Sequence, residues 1–145
     1  MSTHTEQEIK VPELSDVIKA QSLLKTIAKY TPLELSHSFS SMSGAKVFLK
    51  LENLQKTGSF KVRGAYNKIY NLSEEEKSRG VLCASAGNHA QGVAYAATKL
   101  NVKSKVFMPE FAPPLKVVAT RSYGAEIELC GKTFDDACNS AMEYA

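Results

Sequence analysis

The chain has 145 residues, 43% of them hydrophobic and 23% charged, with 8 glycines and 5 prolines. That balance belongs to an ordinary globular protein and excludes collagen-like, mucin-like and disordered chains. The 18 Lys and Arg exceed the 15 Asp and Glu by 3, and the longest like-charge run is Glu74-Glu75-Glu76, too little and too dispersed for a nucleic-acid footprint.

No stretch approaches the roughly 20 apolar residues of a membrane span, so no membrane partner is expected. The opening from Met1 to Lys10 is polar and lacks the apolar core of a secretory signal, which places the protein in the cytoplasm. Cys83, Cys130 and Cys138 cannot all pair and fit no metal or redox spacing; they read as small buried hydrophobes in a reducing compartment. His4, His37 and His89 are scattered, so no metal site is expected.

In chain order, Val17, Ile18, Leu24, Ile27 and Ala28 recur at helical spacing between Leu14 and Ala28, and Tyr30-Thr31-Pro32 stops the pattern. The serine-rich stretch Ser36 to Gly44 reads as a connector with room for one short helical turn. Val47, Leu49 and Leu51 alternate with lysines, which predicts a strand with one buried face. Val62, Ala65, Tyr66 and Ile69 form the stripe of a helix that starts near Ser59 as N-cap. Ser73 and Glu76 are spaced as a capping box for a short helix that Gly80 closes.

Val81 to Ala84 is a continuous apolar run, expected for a strand covered on both faces. Ala90, Val93, Ala94, Ala97 and Leu100 predict the next helix, Lys105 to Met108 a strand, and Pro113-Pro114 the start of a helix carrying Leu115, Val118 and Ala119. Gly124 ends that helix, and Ile127 to Cys130 makes one more strand. Strand and helix thus alternate from Lys46 onward, which predicts parallel crossovers and a doubly wound α/β sheet. The last stripe, Phe134, Ala137, Cys138, Ala141, Met142 and Ala145, stops without a cap or a following strand. The expected organisation is therefore an N-terminal arm with one helix over 1–45 and an incomplete, truncated α/β domain over 46–145.

Two strand-to-helix loops have unusual content, and such loops carry the ligands in open α/β sheets. The first runs from Leu51 to Lys61. Lys61 falls at a helix start, where the dipole disfavours a cation, and only a neutral amine can attack an aldehyde to form a Schiff base. Phe60 beside it offers a face for an aromatic ring. The alternative is a solvent-facing Lys61 with Phe60 in the core. The second loop is Ser85-Ala86-Gly87-Asn88-His89-Ala90-Gln91-Gly92, whose small residues and helix-start N–H groups suit a carboxylate or phosphate. The alternative there is an ordinary tight turn with His89 as a capping group. No Gly-x-Gly-x-x-Gly and no P-loop lysine is present.

Taken together, Thr57-Gly58-Ser59-Phe60-Lys61-Val62-Arg63-Gly64-Ala65 and Ser85 to Gly92 resemble the serine/threonine dehydratase branch of the pyridoxal-phosphate enzymes. Lys50-Leu51-Glu52-Asn53-Leu54-Gln55, Thr31-Pro32-Leu33 and Met108-Pro109 match the same branch, and the resemblance runs from about Val11 onward. It implies the tryptophan-synthase-β-like fold and pyridoxal 5'-phosphate as cofactor. Lys61 would form the Schiff base and move the substrate Cα proton, Phe60 would pack on the pyridine ring, and Asn88 would bond its phenolic oxygen. Ser85, Ala86, Gly87 and His89 would grip the carboxylate of a small amino-acid substrate.

The implied reaction is deamination of L-threonine or L-serine to a 2-oxo acid and ammonia, in isoleucine biosynthesis or threonine catabolism, by a homo-oligomer. The glycine-rich phosphate loop and the residue facing the pyridine nitrogen have no counterpart between Glu110 and Ala145, so a 145-residue chain is expected to be inactive alone. A serine racemase is the nearest alternative, although Ala86 and Ala90-Gln91-Gly92 look more like a dehydratase. A non-enzymatic remnant or interaction module is the other.

Overall fold

The computed structural model describes residues 11–145; the polar opening and His4 lie outside the described residues. Helix α1 (Leu14–Leu24) is shorter than its stripe, because Ile27 and Ala28 leave the helix and return their N–H groups to the Leu24 carbonyl at 3.1 and 2.9 Å. Only the end of the stripe is used. Leu24 is buried, with Leu23, Ile27 and Ala28 packed around it, whereas Val17 and Ile18 face solvent.

Strand β1 (Leu33–Leu35), helix α2 (His37–Ser43) and strand β2 (Phe48–Lys50) follow. The serine-rich connector is thus a capped helix. The Ser36 hydroxyl accepts the Phe39 N–H, and Gly44 closes the end at φ 70°, a left-handed conformation that favours glycine. β2 was expected to open the parallel sheet with one face buried. It instead pairs antiparallel with β1, Leu33 opposite Lys50 and Leu35 opposite Phe48, and its residues are exposed. At three residues β1 is too short to show a period.

From α3 (Lys61–Tyr70) and α4 (Glu74–Arg79) the chain enters the main layer of β3 (Val81–Ala84), α5 (Asn88–Lys99), β4 (Ser104–Met108), α6 (Pro114–Ser122), β5 (Glu126–Leu129) and α7 (Phe134–Tyr144). The sheet is parallel in the order β3-β4-β5, with Cys83 beside Val106 and Val106 beside Ile127. Helices cover both faces. On one, Val106 and Met108 meet Ala90 and Ala94 of α5; on the other, Phe107 meets Ala137 and Ala141 of α7. Burying each of those three β4 side chains is worth about 1.5–3 kcal/mol. α5 also packs Val93, Ala96 and Ala97 against Ala65, Tyr66 and Ile69 of α3, and its run of small residues lets it sit between helix and sheet.

Three local expectations are corrected. β3 was read as buried on both faces, but it lies at the sheet edge and Leu82 is 37% exposed. β4 is the buried strand, and its Lys105 is accommodated by Glu126 at 3.1 Å and Glu128 at 2.8 Å on β5. In α6, Leu115 and Val118 face solvent while Thr120 is buried, its hydroxyl satisfied by the Lys116 carbonyl at 2.8 Å. Finally, the cysteines are half-buried free thiols rather than core residues, and burial pushes the Cys83 thiol up to about 11. The Ser73–Glu76 capping box forms as expected.

Candidate active site

The approach to Lys61 is a backbone reversal pinned from several sides. Thr57 (φ 64°) and Gly58 (φ 70°) both adopt the left-handed conformation, unusual for threonine, and turn the chain into α3. The N-cap is Phe60 rather than the expected Ser59, although the Ser59 hydroxyl still accepts the Lys61 N–H at 3.4 Å. Glu52 takes both Nε and Nη2 of Arg63, at 2.9 and 2.8 Å, and accepts the Thr31 hydroxyl as well. The Gln55 amide clasps the backbone N–H and carbonyl of Lys29, each at 2.8 Å. Arg63 first, helped by the Thr31 hydroxyl and working against the upward push of burial, holds the Glu52 carboxyl at about 2.

Lys61 is the first residue of α3, with Nζ 5.2 Å from the Phe60 ring centre. Both side chains are exposed, so Phe60 is not in the core.

The second loop leaves β3 through Ser85, whose N–H continues the ladder to the Phe107 carbonyl at 3.0 Å and whose hydroxyl accepts the Gly87 N–H at 3.3 Å. Gly87 caps α5 without any side-chain bond. Further along α5, Gly92 lies against Lys61: a Cβ there would stand 3.1 Å from the Lys61 carbonyl carbon and 3.2 Å from its Cβ. Asn88 is one helical turn earlier on the same face of α5. The Asn88 Oδ1 accepts Lys116 Nζ at 2.8 Å. Desolvation of the covered side of the His89 ring and the charge of Lys61 lower its pKa from 6.5.

The starts of the helices around the main sheet differ in how they are capped. α4 and α7 carry capping boxes, Ser73 with Glu76 and Thr133 with Asp136, and acidic first turns. α3, α5 and α6, the helices that bear Lys61, Asn88 and Lys116, have no side-chain cap bond and no acidic residue in the first turn. The positive dipole ends of these three helices, with Lys61 and Lys116 in two of their first turns, lack an acidic residue in the same turn, which suits an anion. A primary amine beside an aromatic face, with an amide and bare helix N–H groups next to it, fits an aromatic aldehyde carrying anionic oxygens.

The structure therefore sets Phe60 beside Lys61 and draws α5, whose first residue is Asn88 and which Ser85, Ala86 and Gly87 lead into, against Lys61 at Gly92. His89 differs, because it also lines a groove of about 770 Å³ along the edge of β3, beside Ile69, Val81 and Tyr144. Lys116 is a residue the sequence does not single out, although it repeats the oddity of Lys61, a lysine in the first turn of a helix. The Thr57 hydroxyl is buried without a hydrogen-bond partner among the described residues.

The profile of the family described as "Pyridoxal-phosphate dependent enzyme" matches residues 24–145. The chain is 51% identical over 129 residues to an L-threonine ammonia-lyase of Thermotoga maritima, covering 89% of this chain and 32% of that protein. It is 49% identical over 132 residues to a biosynthetic L-threonine dehydratase of Staphylococcus epidermidis, covering 89% and 31% respectively. Among solved structures, threonine deaminase isoform 2 of Solanum lycopersicum superposes with a TM-score of 0.81 at 43% identity, over 90% of this chain and 36% of that one. Maize serine racemase gives 0.85 at 33% identity, over 92% and 41%. The chain spans about a third of the length of the curated relatives it matches. A family profile met by most of the chain, on a fold shared at this identity, means that the chain belongs to the pyridoxal-phosphate-dependent enzymes.

Proposed function

We propose that this chain provides the lysine-bearing part of an L-threonine ammonia-lyase, a cytoplasmic homo-oligomer that takes L-threonine or L-serine to a 2-oxo acid and ammonia. The observation that carries the reading is Lys61 at the uncapped start of α3, with α5 drawn against it through Gly92.

Lys61 would hold the cofactor through Nζ and, once the substrate amine has taken its place, receive the Cα proton on the same atom. Phe60 would lie against the ring, and Asn88 would donate from its amide to the ring oxygen. The bare N–H groups at the start of α5, with Ser85, Ala86, Gly87 and His89, would bind the substrate carboxylate and fix the Cα–H bond relative to Lys61. When bound, pyridoxal phosphate supplies the electron sink for the pair released as that bond breaks. Departure of the β-hydroxyl as water, then hydrolysis, completes the net reaction.

The likeness to maize serine racemase supports a second reading, in which the proton returns to the opposite face of Cα. Product analysis of the complete polypeptide separates the two: 2-oxobutanoate from L-threonine supports the lyase, whereas D-serine from L-serine without 2-oxo acid supports the racemase. Lys61→Ala should abolish both the visible absorption of bound cofactor and turnover while leaving the melting temperature close to that of the parent. An unchanged cofactor spectrum in this variant would remove the reading.

A further inference from the structure

We propose that Lys116 is a positioning residue for the cofactor, acting through Asn88. The inference rests on the function proposed above and assigns a role to a side chain one helix away from the lysine and asparagine already discussed.

Lys116 Nζ lies 2.8 Å from Asn88 Oδ1. An ammonium has three donors and no acceptor, so the Asn88 atom that meets it must be the carbonyl oxygen. That removes the usual ambiguity of an amide: Nδ2, with both its hydrogens, is turned the other way as a donor. A donor is what an anionic ring oxygen requires. Without Lys116 the amide could rotate and present either atom. With it, the orientation is set before the ligand arrives.

Lys116 also has no obvious structural reason to be where it is. It occupies the first turn of α6, where the dipole opposes a cation, and its partner is on the first turn of α5, another positive end. Among the described residues no carboxylate forms an ion pair with it. Its hydrogen bond to a neutral amide therefore spans two helices in a region of positive potential. That arrangement becomes favourable once an anionic oxygen lies beyond Nδ2. The ammonium then polarises the amide, strengthens its outward N–H, and adds Coulombic attraction along the same line.

The sign of the consequence follows from charge alone. Removing a cation near a titrating chromophore favours its protonated, more positive form, so the midpoint moves up.

The test uses the complete polypeptide that contains these residues and pyridoxal phosphate as the probe. The pH titration of the visible absorption, the cofactor dissociation constant and the melting temperature are measured for the parent, Lys116→Met, Lys116→Arg, Asn88→Ala and the Asn88→Ala/Lys116→Met double variant. In Lys116→Met the titration midpoint should rise by about 1 pH unit and the dissociation constant by about tenfold. Lys116→Arg, which keeps a charged donor, should restore most of both. Lys116→Met should change the dissociation constant by less in the Asn88→Ala background than in the parent, because the part of its effect that passes through the amide is already gone and only the Coulombic part remains.

An unshifted midpoint in Lys116→Met, with the parent binding cofactor normally, would overturn this inference and leave the proposed function standing. So would a pure loss of melting temperature that adds fully to that of Asn88→Ala, which would make Lys116 a strut between α5 and α6. A parent that binds no cofactor would overturn the proposed function, and this inference with it.

Discussion

Gly92 has no side chain because the backbone of Lys61 occupies the space that a Cβ would need, and this one close approach sets the distance between α3 and α5. At the same scale, the helix-start positions of Lys61 and Asn88 were legible in the sequence because each sits in a loop of unusual residue types that leads into a hydrophobic stripe. Lys116 was not, since its meaning depends on a contact across 28 positions and no local pattern announces it. The arm's connection was equally hidden: Thr31 and Lys29 reach the site through Glu52, Arg63 and Gln55, which are far away in sequence.

That network has a pH signature. Glu52 is held at about 2 in the fold against 4.5 when free, chiefly by Arg63. A lowered carboxylate pKa means that the added stability is complete above about pH 4.5 and is lost as the pH falls through 2. Because Arg63 remains partly exposed, the contribution is about 1–2 kcal/mol rather than the full value of the shift. Denaturant melts between pH 5 and 2 should show this loss, and Glu52→Gln should remove it while lowering stability at neutral pH. An acid profile unaltered by that substitution would mean that the ion pair contributes nothing.

Among the elements, those with their own capping and stripe were readable: α3, α4, α5 and α7 begin or end within a residue or two of expectation. β1 was not, because a three-residue strand carries no hydrophobic period, and α2 was read only as room for one helical turn, because its serine-rich sequence shows no clear stripe. The burial of β3 was overestimated, and that of β4 went unread, for a different reason. Apolar content predicts burial only when the strand's neighbours are known, and the Glu126 and Glu128 partners that make Lys105 compatible with a central strand lie on β5.

The bare N-terminus of α5 also implies a trade between stability and binding. The space around Gly87 is open enough to take a side chain. Gly87→Asp would place a carboxylate at the positive end of α5 and should raise stability by about 0.5–1 kcal/mol. The same carboxylate would repel the anion these N–H groups are suited to. The expected result is a higher melting temperature with at least about tenfold weaker binding of a carboxylate substrate. A stabilised variant with unimpaired substrate affinity would count against the carboxylate role of this loop.

For the molecule as a whole, the apolar surface is unevenly distributed. Phe134, Met142 and Tyr144 of α7 are exposed, and the groove along β3 passes beside Tyr144 and Leu82. Among the described residues β3 pairs only with β4, so its outer edge offers unpaired backbone groups next to that apolar surface. The 145-residue polypeptide on its own should therefore self-associate at micromolar concentration and bind a hydrophobic dye. Sedimentation velocity checks this, and a dye-silent monomer would contradict it.

The unbroken strand order has a consequence for how the protein is made. Val81 pairs with Ser104 and Lys105 with Glu126, so among the described residues of this sheet β4 joins β3 and β5 joins β4, each the strand synthesised just before it. Contacts of short sequence separation form quickly, and a chain emerging at about 5–20 residues per second can add each strand and its helix to an already assembled edge. The sheet can thus grow in the direction of translation, with β3 as its first strand.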